Sequence, residues 1–298
     1  MHIIGHEHER ARLKQSIEGE VVQSYLFTGP RSVGKALCAL EFASALVGEP
    51  SFEPSSDKPT PYDVRVLRPL EETKRGITKK KSIPAEEVRE GLSFLSQYPA
   101  RGRYRVLIIL DAHRLSETAQ NVLLKTLEEP VSSAVIILVT HEVGAILPTV
   151  LSRVKRVRFG FVSEGELRGG VEGLPGDTSA IAPFFYGLGR PGMIMSALER
   201  PEDFATSREL LGSLYRLSTL SLAERMSLAE RLGSETERAV ELLEWWLPGL
   251  HEQAKAVKER PLATRYYALL ENVTETMHLL KTTQSNARLL LEKLFFGL

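Results

Sequence analysis

The chain has 298 residues, enough for two or three domains around a sizeable core. Its 38 Lys and Arg balance 38 Asp and Glu, so bulk charge gives no attraction to nucleic acid and any such contact must come from a local patch. A single cysteine, Cys38, excludes an intramolecular disulfide and a multi-cysteine zinc site. The opening MHIIGHEHERARLK has no apolar core of a secretory signal, and no run of about 18 apolar residues follows, so no membrane association and a cytoplasmic location are expected.

In chain order, Glu7–Glu18 reads as a short polar helix with Ala11, Leu13 and Ile17 available to pack. Val21–Thr28 reads as a strand that runs into GPRSVGKA (Gly29–Ala36), followed by an amphipathic helix through Leu37, Leu40, Phe42, Ala43 and Leu46. Strand, glycine-bounded loop and helix form the setting of a phosphate-binding loop, in which backbone amides and Lys35 hold the anion. The match is degenerate: Ala36 stands where a hydroxyl would ligate Mg²⁺.

The stretch from 48 to 62 reads as surface loop, 63–68 as a short strand and 70–82 as a charged loop carrying Lys79, Lys80 and Lys81 in solvent. Glu86–Gln97 reads as a helix with Val88, Leu92 and Leu95 inward. Val106–Leu110 is an unbroken apolar run, as in a strand buried on both faces, and delivers Asp111 to its C-terminal end. A helix with Leu115, Ala119, Val122, Leu123 and Leu127 at its spacing stops at Pro130; Ala134–Val139 is the next strand and ends at Thr140. Ser152-Arg153 leads into a last strand, Val154–Phe159. Asp111 is a candidate metal-side acid, but Ala112 replaces the glutamate that would activate water, so the two alanines together argue against hydrolysis. Arg153 is either a salt-bridged surface arginine or an arginine finger, offering its fork to a γ-phosphate held by a neighbouring subunit. Beyond about residue 202 the pattern is helical and leucine-rich, with Trp245 and Trp246 expected to pack; His2, His6 and His8 have no acid or cysteine pattern to make them ligands.

IIGHEHERARL, SYLFTGPRSVGK, DAHRLSETAQNVLLKTLEEP, Ser152-Arg153 and NARLLLEKLFFGL together resemble the bacterial DNA polymerase III clamp-loader family, over nearly the whole chain and most nearly its delta prime type. The resemblance implies an α/β AAA+ P-loop module over 1–160, with a five-stranded parallel sheet and flanking helices. A small helical lid over 161–203 and an all-α collar over 204–298, used for oligomerisation, would follow. It implies a non-hydrolysing stator that lends Arg153 to an adjacent ATPase subunit while a sliding clamp is loaded onto primer-template DNA. Its partners would be gamma/tau and delta subunits. Gly29, Gly34, Lys35, Asp111 and Thr140 would form the nucleotide-site remnant, with ATP or ADP binding left open and no cofactor required. The cysteines of the family's zinc module are missing, so no zinc or other metal is expected. Ser32 replaces a common loop glycine and would tighten the loop, and Met193 stands where the lid would carry a sensing arginine, with Arg190 nearby. The alternative is a working ATPase of the gamma/tau type.

Overall fold

A computed structural model describes residues 2–50, 52, 60–74, 77–172, 174, 178, 188–257, 259–283 and 285–297. The chain separates into two units, Met1–Met195 and Ser196–Leu298.

In the first unit a five-stranded sheet has the order β2-β5-β6-β1-β7, with β1 Ser24–Thr28, β2 Val64–Leu67, β5 Arg105–Ile109, β6 Ala134–Thr140 and β7 Lys155–Arg158. Every pairing in it is parallel, as in Thr28 opposite Thr140 and Tyr25 opposite Lys155. β5 and β6, apolar apart from Arg105 and Thr140, are buried along their whole length because helices cover both faces. Strand periodicity sorts their side chains. Tyr25, Phe27, Val106, Ile108, Val135 and Ile137 meet α2 (Lys35–Val47) through Ala39, Phe42, Ala43 and Leu46. Leu26, Leu107, Ile109, Ile136 and Leu138 face the opposite way, toward α3 (Ala85–Leu95) and α4 (Glu117–Glu128), where Val88, Leu95, Ala119 and Leu123 complete the second layer. α1 (Glu7–Glu18) is tied to α2 by Arg10, whose Nε donates to Glu41 Oε2 at 2.7 Å.

The segment expected to be a charged loop instead contains an antiparallel hairpin, β3 Glu71–Lys74 and β4 Ile77–Lys80. Its register sets Glu71 opposite Lys80 and Glu72 opposite Lys79, and it lacks the apolar alternation by which a half-buried strand announces itself. Before β5, the buried Asp63 accepts the amides of Ala100 (2.7 Å) and Arg101 (2.8 Å), fixing the turn into the central strand. Burial alone would raise its pKa, but these bonds and Arg105 hold it below the usual carboxylate value. α5 (Pro148–Leu151) precedes β7, α6 (Glu164–Val171) follows it behind a Ser163 capping box, and α7 (Pro191–Glu199) comes next. Between these last two helices, residues 173, 175–177 and 179–187 lie outside the described residues.

The second unit is all-α: α8 Pro201–Tyr215, α9 Leu222–Gly233, α10 Thr236–Ala256, α11 Arg260–Thr282 and α12 Ala287–Phe296. Leu214, Ala229, Leu243, Trp246, Val273, Leu291 and Phe295 form its buried centre, and Trp245 is also buried. α10 runs through Pro248, and Gly249 beside it makes room for Tyr215, because a Cβ at 249 would lie 1.9 Å from the phenol oxygen. Arg225 joins α9 to the end of α12 by donating to the Phe295 carbonyl at 3.0 Å. No described helix is long and apolar enough to cross a membrane.

Candidate functional site

β1 emerges between β6 and β7, where successive connections leave the sheet in opposite directions and open α/β sheets hold their ligands. The loop after it, Gly29–Gly34, is held by its own chain on every side. Gly29 has φ +141, and a Cβ there would lie 2.1 Å from the Phe159 carbonyl oxygen, so close packing against the end of β7 already demands glycine. Ser32 takes a left-handed φ of +59, and its carbonyl accepts the Gly192 amide at 2.8 Å at the start of α7. His6 Nε2 donates to the Val33 carbonyl at 2.7 Å. Gly34, with φ +106, starts α2. Lys35 is buried and turns its ammonium back on the loop, donating to the carbonyls of Gly29 (2.9 Å) and Pro30. Burial lowers its pKa to about 8 against the opposing pull of Asp111.

Asp111 follows β5 in a left-handed conformation (φ +50), and Thr140 closes β6, almost fully buried. The structure therefore brings Lys35, Asp111 and Thr140 to the C-terminal ends of three strands, with β6 between β5 and β1. Ala112 lies fully buried in the apolar layer shared with Leu26, Ile109 and Ala119. The Thr140 hydroxyl accepts the Glu142 amide at 3.0 Å, and its oxygen lies 3.3 Å from His113 Nδ1. The His113 and His141 rings meet edge to face with centroids 4.2 Å apart. Burial lowers both pKa values, that of His141 to about 3 with His113 adding to the effect. Of the two residues considered for a sensing role, Met193 is buried, while the Arg190 guanidinium lies 5.5 Å over the Phe161 ring.

Arg153 sits elsewhere. It precedes β7, whose Lys155 is level with Tyr25 at the start of β1, so Arg153 is at the N-terminal edge of the sheet and the loop is at the C-terminal edge. The rise from Tyr25 to Gly29 alone separates those edges by about 13 Å. Its Nη2 meets Glu128 Oε1 at 2.6 Å, and Nη1 donates to the Thr149 carbonyl at 2.9 Å and Ser152 Oγ at 3.1 Å, with about a third of the side chain (35%) still exposed.

Gln120 and Glu128 escaped the sequence reading. Gln120 is buried and bridges α4 to the segment before α5: its Nε2 donates to the Ala145 carbonyl at 3.0 Å and its Oε1 accepts the Leu147 amide at 2.8 Å. The usable signal was a polar residue on the stripe of Leu123 and Leu127, at i, i+3, i+7. Of the remaining candidates, Lys79 and Lys80 have side chains outside the described residues; His2 bonds the Gly170 carbonyl at 2.8 Å, apart from His6. Cys38 is buried, and burial pushes its thiol up to about 12.

A glycine-bounded loop after β1, acid and threonine at the ends of neighbouring parallel strands, and helical segments beyond them define an AAA+ P-loop module. The chain belongs to the family described as DNA polymerase III, delta subunit, whose model matches residues 5–162, more than half its length. It is thus a clamp-loader AAA+ subunit of the DNA polymerase III family. It is 31% identical over 159 residues to the DNA polymerase III subunit tau of Salmonella typhimurium, covering 51% of this chain and 24% of that protein. It is also 31% identical over 140 residues to the subunit delta' of Pseudomonas aeruginosa, covering 44% and 40%. The matched stretch spans about a quarter of the tau proteins it resembles, 24% in Salmonella and 28% in Bacillus subtilis. A gamma subunit-related protein of Thermotoga maritima shares the fold with a TM-score of 0.59 at 20% identity, over 97% of this chain and 98% of that one. RuvB of the same organism superposes with a TM-score of 0.52 at 19% identity, over 86% and 90%.

Proposed function

We infer that the chain is the delta prime-like member of a clamp loader: a subunit that does not hydrolyse ATP and completes a neighbour's site with Arg153. The observation that carries this reading is the placement of Arg153 at the sheet edge opposite its own loop, which leaves a nucleotide on another subunit as its reachable phosphate. Glu128, Thr149 and Ser152 orient the fork meanwhile, and a half-exposed ion pair is worth only about 0–1 kcal/mol, so it yields readily to a phosphate. The own site fits a Mg²⁺–nucleotide complex poorly. Ala36 cannot ligate the metal, Ala112 is packed in the core, and Lys35 is engaged by the loop carbonyls. The segments 161–203 and 204–298 serve as lid and collar, the collar joining this chain to gamma/tau and delta subunits. The assembly works in the cytoplasm on a sliding clamp and primer-template DNA.

A gamma/tau-like ATPase is the second reading, supported by the identity of about 30% to tau and gamma proteins. Hydrolysis by the purified chain separates the two. The stator shows no turnover above background; turnover that Lys35→Ala abolishes supports the ATPase instead.

A further inference from the structure

Asp111, His113 and His141 present one potential ligand atom each, all within 4.8 Å of one another, and all three residues are half-buried. We propose that these three side chains form a binding site for a divalent transition-metal ion of the Zn²⁺ class, at the C-terminal ends of β5 and β6. The site is independent of whether the chain hydrolyses ATP.

The donor set selects the ion. One carboxylate and two imidazoles suit Zn²⁺, Co²⁺ or Ni²⁺, whereas Mg²⁺ takes oxygen ligands. Ligands around a tetrahedral Zn²⁺ at about 2.0–2.1 Å lie some 3.4 Å apart, so the trio needs a contraction of roughly 1 Å, within reach of side-chain rotation. One imidazole is already oriented. The Thr140 hydroxyl lies 3.2 Å from the Glu142 carbonyl, to which it donates, leaving its oxygen as acceptor for His113 Nδ1–H at 3.3 Å. That tautomer puts a lone pair on Nε2, the arrangement in which an outer hydrogen bond fixes a metal-binding imidazole. His141 comes from the next strand end, and its ring packs on His113 at 4.2 Å between centroids. Arg31 acts electrostatically on both imidazoles and Lys35 on His141, opposing added positive charge, so the fourth position of a tetrahedral ion held by the trio favours an anion such as hydroxide or phosphate. The cysteine count, from which no metal is expected, carries no information about this Asp-His-His trio.

The test uses the full chain, stripped with a chelator and titrated with Co²⁺. One equivalent is expected to bind with the strong visible bands of tetrahedral cobalt and no thiolate charge-transfer band. Zn²⁺ is expected to displace it and Mg²⁺ is not. His113→Gln and His141→Gln each weaken binding about a hundredfold or more, while His8→Gln leaves it unchanged. Circular dichroism of the metal-free variants checks folding; if a histidine variant unfolds, Asp111→Asn takes its place with the same expected loss. Absence of stoichiometric binding, octahedral cobalt bands, or full affinity in a folded His141→Gln or Asp111→Asn chain overturns the site.

Discussion

The guanidinium of Arg153 and the carboxylate of Glu128 are 2.6 Å apart, which joins the end of the LLKTLEEP helix to the arginine that precedes the last strand. Glu128 thus aims the fork from a rigid element rather than from a loop. The segment that enters the short α5, after which Arg153 comes, is in turn held to α4 by Gln120, so both ends of α4 contribute to the placement of one side chain.

Gln120→Ala removes the bonds to Ala145 and Leu147 and leaves the Leu147 amide without its partner. A loss of about 1–3 kcal/mol in urea unfolding is expected from an orphaned buried donor. In an assembled loader the variant lowers ATP turnover although it touches no nucleotide. Unchanged stability would show that the bridge carries no strain-free contact worth keeping.

Gly29→Ala places a methyl 2.1 Å from the Phe159 carbonyl at φ +141, where no L-residue is comfortable. It is expected to cost about 3 kcal/mol or more, whereas Gly144→Ala, with nothing within 4 Å of the new Cβ, changes stability by less than about 1 kcal/mol. Comparing the two thermal unfolding curves tests whether packing rather than phosphate binding demands the loop's first glycine.

Lys35 has a folded pKa of about 8 against 10.5 for a free lysine. Between those values the unfolded chain holds the proton and the folded chain has released it, so this group makes the protein more stable as pH rises, by about 1.4 kcal/mol per unit. Below pH 8 the cost of the buried charge is fully present. Unfolding of wild type and Lys35→Met from pH 7 to 10.5 isolates the effect: wild type gains on the variant above pH 8. A constant difference would place the ammonium in solvent.

Much of this was legible because burial on two faces leaves a plain trace. The apolar runs of β5 and β6 reported a covered parallel sheet, and their ends located Asp111 and Thr140. The 71–80 hairpin left no such trace, since Glu71-Glu72-Thr73-Lys74 and Ile77-Thr78-Lys79-Lys80 show no alternation of hydropathy. Gln120, His113 and His141 went unread for another reason: their partners, Leu147, Thr140 and Asp111, are set by strand order, which residue spacing does not reveal. The opposition of Arg153 to its own loop also depends on β7 lying beside β1 in parallel.

The most direct measurement is steady-state ATP hydrolysis by a reconstituted loader containing Arg153→Ala, with assembly checked by gel filtration. The account predicts an intact complex in which the neighbouring site loses turnover by roughly 10³-fold, the scale of a removed arginine finger, with Glu128→Gln intermediate between it and wild type. An assembled Arg153→Ala loader that hydrolyses ATP at the wild-type rate would contradict it.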